Sequence, residues 1–145
     1  MKKLLVAVAM ALSAAACSSG PGSGSEWQKS YGKTFYEPNE GMAALYIIRD
    51  DPGQDTSSIG ITKDRYPVGS LTGLTWMRFD LPPSAYDLRA YGTQGSTELI
   101  VTVNAGESRF LLAEPKPTGN AQLREILQPE GRRLVRQGQQ AASRP

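Results

Sequence analysis

Alternating apolar and polar side chains, repeated at intervals of about ten residues, constrain the fold of this chain more than any other feature. In Leu74–Leu81, for example, Met77 and Phe79 fall on one face of an extended strand, and Arg78 falls on the other. Short segments of this kind, separated by turns, are typical of a sandwich or a barrel. We therefore predict an all-β fold, a mainly antiparallel β-sandwich of about seven strands with a short C-terminal helix.

The predicted strands differ in how their apolar residues are arranged. They are Met42–Arg49, Ser58–Thr62, Tyr66–Gly69, Leu74–Leu81, Tyr86–Ala90, Thr97–Asn104 and Arg109–Ala113. The first is apolar on both faces, which indicates a central strand. Pro67 cannot donate to a ladder, so the strand that contains it is an edge strand or carries a bulge. Trp76 either completes a second core layer or forms a semi-exposed contact, and the core is favoured because Trp is usually largely buried.

The C-terminal region has a different pattern. Leu123–Leu127 fits either a last strand or one helical turn, because five residues cannot distinguish the two periods. Pro129 favours a helix start and Gly138 a helix end, so we predict a short helix over Pro129–Gln137 and a frayed tail over Gln139–Pro145. The arginines of this region are Arg124, Arg132, Arg133 and Arg136. A solvated helix face is favoured for them over a contact with anionic lipid or another partner.

The N-terminal residues carry export signals. Two lysines precede an apolar run over Leu4–Leu12, which is well below the roughly 20 residues that a spanning helix needs. The small residues Ala14–Ala16 then come directly before Cys17, the only cysteine of the chain. This segment resembles the precursor of a bacterial lipoprotein, a family in which cleavage falls between the residues that correspond to Ala16 and Cys17.

The lipoprotein resemblance implies a diacylglycerol on the Cys17 sulfur and an acyl chain on the new amino group. Two or more acyl chains hold a protein stably on a membrane, where one is marginal. Ser18, rather than Asp, follows the cysteine, and by the same resemblance this favours the outer membrane, facing the periplasm. The pattern Ala14-x-Ala16 also fits an ordinary cleavage signal, which leaves a secreted protein without lipid as the alternative.

These patterns divide the chain into four parts. They are a signal peptide (1–16), a lipidated N-terminus with a flexible tether (17–41), a β-sandwich domain (42–128), and a short helix with a frayed tail (129–145).

The composition disfavours several kinds of site. The net charge is +2, and Lys2 and Lys3 account for it, so the mature chain is formally neutral and lacks the basic field that nucleic acids attract. The chain has no histidine, which removes the commonest general base and the commonest metal ligand. Since Cys17 is the only cysteine, no disulfide forms within the chain. We expect no catalytic residues, no metal and no cofactor.

Two weaker patterns involve carboxylates. Asp50, Asp51 and Asp55 lack the regular spacing of a calcium loop, and Asp-Asp-Pro-Gly suits a plain turn. A glycosidase-type acid pair is conceivable, although no pattern places two acids in one cleft. The candidate acids are Glu37, Glu40, Glu98 and Glu107.

Three segments carry a second resemblance. Tyr66–Leu71, Phe79–Tyr86 and Ile100–Phe110 together resemble PEGA-like β-sandwich domains and an uncharacterised family of bacterial lipoproteins with the same hairpin pattern. The resemblance implies a β-sandwich and assigns no catalytic residue. Ser84 stands where the family usually has Gly, so a turn that needs a positive φ would be strained there.

We therefore expect a lipid-anchored protein of the bacterial cell envelope that acts as a non-catalytic interaction or structural module. Its expected partners are the membrane, through the anchor, and an envelope protein or peptidoglycan; nucleic acid is not among them. An edge near Tyr66–Val68 would pair with a partner strand by β-augmentation. The alternative is a hydrolase or processing enzyme that acts on envelope polymers such as peptidoglycan or another glycan.

Overall fold

The structure is a computed structural model that describes residues 33–52 and 57–144. Its elements are β1 (Ala43–Arg49), β2 (Ile59–Lys63), β3 (Tyr66–Leu71), β4 (Thr75–Leu81), β5 (Ser84–Tyr91), β6 (Ser96–Val103), β7 (Ser108–Pro115), β8 (Ala121–Ile126), α1 (Gln128–Gln137) and β9 (Gln139–Gln140). The strands form two sheets, which confirms the predicted all-β fold. Sheet A has the order β8-β7-β1-β4-β9, and sheet B has the order β3-β2-β5-β6.

The two sheets differ in strand direction. Sheet B is antiparallel throughout. Sheet A contains two parallel pairs, β1 with β7 and β4 with β9, beside the antiparallel pairs β1–β4 and β7–β8. The described residues hold nine strands rather than about seven. The additional strands are β8, where the periodicity left strand and helix open, and β9, in the segment predicted to fray.

Strand β1 is buried on both faces, as its continuous apolar run predicts. Leu45 and Ile47 point into the core between the two sheets. Tyr46 and Ile48 point to the other side of sheet A, into a second apolar layer. All seven residues of β1 are buried, so this strand is the centre of the molecule.

Helix α1 lies over the outer face of sheet A and covers the second layer. Leu134 and Val135 of the helix pack there with Trp76, which is fully buried, so the core interpretation of this tryptophan is confirmed. A Cβ atom on Gly131 would overlap the Phe110 ring. Glycine at this position therefore allows the helix to lie directly on the sheet.

The ends of α1 agree closely with the sequence prediction, but Gly138 acts in a different way. Proline occupies the first turn, where its fixed φ suits a helix start. The Gly138 N–H donates to the Leu134 carbonyl, and Gly138 has a φ of −91°, so no left-handed conformation is needed. A Cβ on Gly138 would lie 2.9 Å from the Leu74 carbonyl oxygen and 3.1 Å from Trp76 Cδ1. Close approach to β4 is the reason for glycine here.

The tail after α1 is paired, so the prediction that it frays is wrong for residues 139–144. The backbone N–H groups of Gln139 and Ala141 donate to carbonyl oxygens of the β4 edge at 2.8 and 2.7 Å. Further on, Ser143 forms an antiparallel bridge with Gly69, and the Arg144 N–H donates to the Val68 carbonyl at 2.7 Å. The tail thus joins the β4 edge of sheet A to the β3 edge of sheet B.

The structure describes residues 33–41 of the segment 17–41 that was predicted as a lipidated N-terminus with a tether. Phe35 is half-buried and packs against the second apolar layer. Residues 17–32 lie outside the described part of the chain. Within the described residues, no helix combines the length and the apolarity that crossing a bilayer requires.

Ser84, the departure from the family pattern, opens β5 and is not among the residues with a positive φ. The strain considered for this position is therefore absent. A left-handed backbone occurs instead at Asp64 and Arg65, in the turn between β2 and β3.

Candidate interaction surfaces

The residues predicted to carry the lipid and the cleavage site, Cys17 and Ala16, lie outside the described residues. Asp55 of the considered calcium loop lies outside them as well. Of the remaining loop acids, Asp51 binds Arg49 through two hydrogen bonds. In the described ranges, no three Asp, Glu, His or Cys side chains come together in a group that could hold a metal ion.

Arg49 is a buried charge that the sequence analysis missed. It is the last residue of β1 and is fully buried. Its Nε and Nη2 donate to the Asp51 carboxylate at 2.5 and 2.9 Å, and its Nη1 donates to the Leu71 carbonyl at 3.3 Å and to the Ser57 carbonyl. An Arg-x-Asp spacing on a strand places both side chains on one face, which is the signal that could have identified the pair.

The same spacing recurs on β4. Arg78 Nε donates to Asp80 at 2.8 Å, and Arg78 Nη1 donates to the Tyr46 hydroxyl at 2.9 Å. The Arg78 guanidinium also lies 5.4 Å from the centre of the Tyr46 ring. These contacts join Arg78 and Asp80 of β4 to Tyr46 of the second apolar layer.

The N-terminal end of the described chain docks on α1 through Phe35. The Phe35 ring lies 5.8 Å from the Tyr46 ring and 6.4 Å from the Phe110 ring, and those two rings stack at 4.7 Å. From the helix, the guanidinium groups of Arg132 and Arg136 lie 5.3 and 5.2 Å from the centre of the Phe35 ring. Such cation–π contacts contribute about 0.5–1 kcal/mol each at exposed positions. Phe35 therefore fixes where the chain reaches the domain.

A cationic surface results from this docking, and we call it the basic helix face. It consists of Lys33, Arg132, Arg133 and Arg136. The Lys33 Nζ donates to the Arg136 carbonyl at 3.5 Å, and the exposed Arg133 donates to Gln137 at 3.1 Å. Glu130, in the first turn, is the acidic residue of α1. No ion pair within the described residues joins any of the four cations to an acid. The face therefore carries excess positive charge.

A groove of about 410 Å³ adjoins the basic helix face. Its lining includes Phe35, Arg132 and two of the four candidate acids, Glu37 and Glu107. Hydrogen bonds from the side chain and the backbone N–H of Asn104, both 3.1 Å long, lower the pKa of Glu107. Glu107 is therefore ionised at neutral pH and unsuited to donate a proton.

The structure does not bring the other two candidate acids, Glu40 and Glu98, into this groove. Glu40 is exposed in the lead-in to β1. Glu98 lies on β6 and pairs with Arg89 of β5 at 2.5 Å. Of the four candidate acids, only Glu37 and Glu107 therefore line this groove.

The outer face of sheet B is an open surface of paired charges. Arg89 contacts Asp87 on its own strand at 3.4 Å and Glu98 across the ladder. The hydrogen bond to Asp87 is the main reason that the Arg89 pKa is raised, with the charge of Glu98 adding to it. Ile100 and Tyr91 are 57% and 41% exposed on β6 and at the end of β5. No helix of the described chain covers this face.

The strand predicted to accept a partner, β3, is an edge strand of sheet B. Tyr66 at its start is exposed, and the β2–β3 pairing has a bulge at Ile61/Thr62, opposite Pro67, as the proline predicts. However, the backbone of Val68 and Gly69 already pairs with the C-terminal tail. The edge predicted for β-augmentation is therefore already occupied at Val68 and Gly69 by the chain itself.

A second groove, of about 340 Å³, lies where the β5–β6 and β7–β8 loops meet. Its lining includes Thr93, Gln94, Lys116 and Asn120. The Gln94 N–H donates to the Gly119 carbonyl at 2.9 Å and locks one loop to the other. The groove is polar and shallow, and it contains no acid pair.

Comparison with protein-family models and with curated proteins gives no match for this chain. The resemblance to PEGA-like lipoproteins accordingly stays a prediction from the residues that carry it.

Proposed function

We propose that this protein is a lipid-anchored component of the bacterial cell envelope whose β-sandwich serves as a non-catalytic interaction or structural module. The observation that carries the proposal is the position of the only cysteine. Cys17 directly follows a short apolar run and three alanines, which is where lipid attachment takes place in bacterial lipoproteins. Ser18 after the cysteine supports the outer membrane, facing the periplasm.

The arrangement of charges supports a module without catalysis. The most deeply buried ionic groups, Arg49 and Arg78, bind carboxylates two residues further along the chain. Each holds a loop or a side-chain layer in place and leaves no activated group in a cleft. Glu107 has a lowered pKa, whereas a general acid at neutral pH needs a raised one.

The open surface of sheet B supports the interaction role. It carries exposed Ile100 and Tyr91 among paired charges. An envelope protein or peptidoglycan is the proposed partner, because both are within reach of a domain held at the membrane. The start of β3, at the exposed Tyr66, is a second place for such a contact.

Two experiments on cells test the proposal. Wild-type protein should sediment with membranes and resist extraction by high salt, whereas a Cys17→Ala variant should be released in soluble form. In vivo crosslinking, followed by isolation of the wild-type protein, should recover a specific envelope protein or peptidoglycan fragments. Equal sedimentation of both forms would contradict the anchor, and the absence of any specific crosslinked partner would contradict the interaction role.

A second candidate function is hydrolysis of an envelope polymer, favoured by one observation. Glu37 and Glu107 line the same groove, as an acid pair in a glycosidase would. In that case Glu107, the ionised member, would act as base or nucleophile. Release of soluble fragments from purified cell walls by the wild-type chain, but not by a Glu107→Gln variant, would establish this function in place of the proposed one.

A further inference from the structure

We propose that the basic helix face docks on anionic phospholipid headgroups, so that α1 faces the membrane and sheet B faces away from it. This inference rests on the proposed lipid anchor and adds an orientation to it. The face consists of Lys33, Arg132, Arg133 and Arg136, as defined above. Its partner is identified by charge: a surface of negative headgroups rather than a single bound ion.

The described chain begins beside α1, which supports this orientation. The segment that leads from Cys17 reaches the described domain at Lys33, and there it contacts the last turn of α1. Phe35 then fixes this junction between Arg132 and Arg136. The described chain therefore begins on the side of the molecule that carries the basic helix face.

The basic helix face and the outer face of sheet B also differ in how their charges are paired. Arg133 and Arg136 are exposed and lack carboxylate partners in the described chain, so their charges remain available. On sheet B, Arg89 is matched by Asp87 and Glu98. A negatively charged surface is thus attracted more strongly to the helix side of the domain than to the outer face of sheet B.

Apolar side chains are also exposed at the start of α1 and beside Phe35. Leu127, at the N-terminal end of α1, is 77% exposed, and Tyr36, beside Phe35, is 57% exposed. An aromatic ring and an aliphatic side chain beside a basic helix are typical of surfaces that lie in the interfacial region of a bilayer. Acids near the face are Glu130 on the helix and Glu37 and Glu107 in the adjoining groove, and they limit the attraction without cancelling it.

The test uses the mature chain with Cys17→Ser, so that binding does not depend on acylation. It is sedimented with vesicles of phosphatidylglycerol and phosphatidylcholine in equal amounts, and with vesicles of phosphatidylcholine alone. We expect binding to the anionic vesicles only, and we expect it to weaken as salt is raised. Since each Lys or Arg near an anionic membrane contributes about 1 kcal/mol, Arg133→Gln should weaken binding about fivefold, and Arg133→Gln with Lys33→Gln about 25-fold.

Arg65→Gln is the matched control, because Arg65 is an exposed arginine in the β2–β3 turn of sheet B. It should leave vesicle binding unchanged. Equal binding to both kinds of vesicle, or an equal loss with Arg65→Gln, would overturn the inference even if Cys17 proves to be acylated. Conversely, an unmodified Cys17 would overturn the proposed function while leaving the vesicle result intact.

Discussion

The outer faces of the two sheets show how one sandwich holds two different surfaces. On sheet A, Tyr46, Trp76 and Phe110 form an aromatic layer that α1 and Phe35 cover. On sheet B, the equivalent layer consists of Arg89 and its acidic partners and is open to solvent. The first face therefore acts as a second core and determines stability. Substitutions on the outer face of sheet B should therefore have little effect on the free energy of unfolding.

The largest expected difference between the faces comes from an aromatic truncation. Trp76→Ala removes a fully buried ring from the second layer and should lower the free energy of unfolding by about 3–5 kcal/mol. Ile100→Ala, on the exposed face of sheet B, should change it by less than about 0.5 kcal/mol. Urea unfolding of both variants measures the contrast, and similar losses would refute the division into core and surface.

A buried arginine should matter nearly as much. Arg49→Met removes a charge that holds Asp51 and the carbonyls of Ser57 and Leu71, and we expect a loss of about 3 kcal/mol because those groups lose their partner. Arg89→Met is the matched change on sheet B and should leave the urea midpoint almost unchanged, since that side chain is only half-buried and solvent screens its ion pairs. A stable Arg49→Met protein would show that the buried pair is dispensable.

Two glycines provide a smaller contrast. Gly131→Ala forces a methyl group into the Phe110 ring and should destabilise the domain by about 1–3 kcal/mol. At Gly60 on sheet B, a Cβ would lie 3.7 Å from the Tyr91 Cβ, an ordinary contact. Gly60→Ala should therefore be neutral, or stabilise by about 0.4–1 kcal/mol through the unfolded state. Thermal unfolding distinguishes them, and a harmless Gly131→Ala would mean that α1 sits further from the sheet.

The smallest effect concerns pH. The folded-state pKa of Glu107 lies below its ordinary value of 4.5, so its bonds to Asn104 stabilise the fold above that pH. This stabilisation is lost as the pH falls through the lowered pKa. Asn104→Ala should lower the free energy of unfolding at neutral pH. It should also make the decline of that free energy toward acidic pH less steep. Unfolding curves between neutral and acidic pH test this, and an unchanged pH profile would contradict the role given to Asn104.

Much of the sandwich was predictable because its signals are local. The continuous apolar run of β1 predicted burial on both faces, and alternation predicted which side of β4 enters the core. The pairing of Gln139–Gln140 was not predictable, because it depends on backbone hydrogen bonds to a distant edge and leaves no apolar pattern. The burial of Arg49 likewise depends on where the loop after β1 returns.

The candidate surfaces were predictable only in part. The arginines of α1 were visible in the sequence, but solvated residues and a lipid-facing surface have the same composition. Their distinction depends on Phe35, which brings the N-terminal end of the described chain onto the helix. The sequence pattern also gave no indication that the tail pairs with β3. Because the tail occupies Val68, the accessible part of the β3 edge lies toward Tyr66.

The central claim, that the domain is held at a membrane through Cys17, is tested most directly by the mass of the N-terminal peptide of the protein isolated from cells. The account predicts a peptide that begins at Cys17 and carries a diacylglycerol on its sulfur. A peptide that retains Met1, or one with an unmodified Cys17, would contradict it.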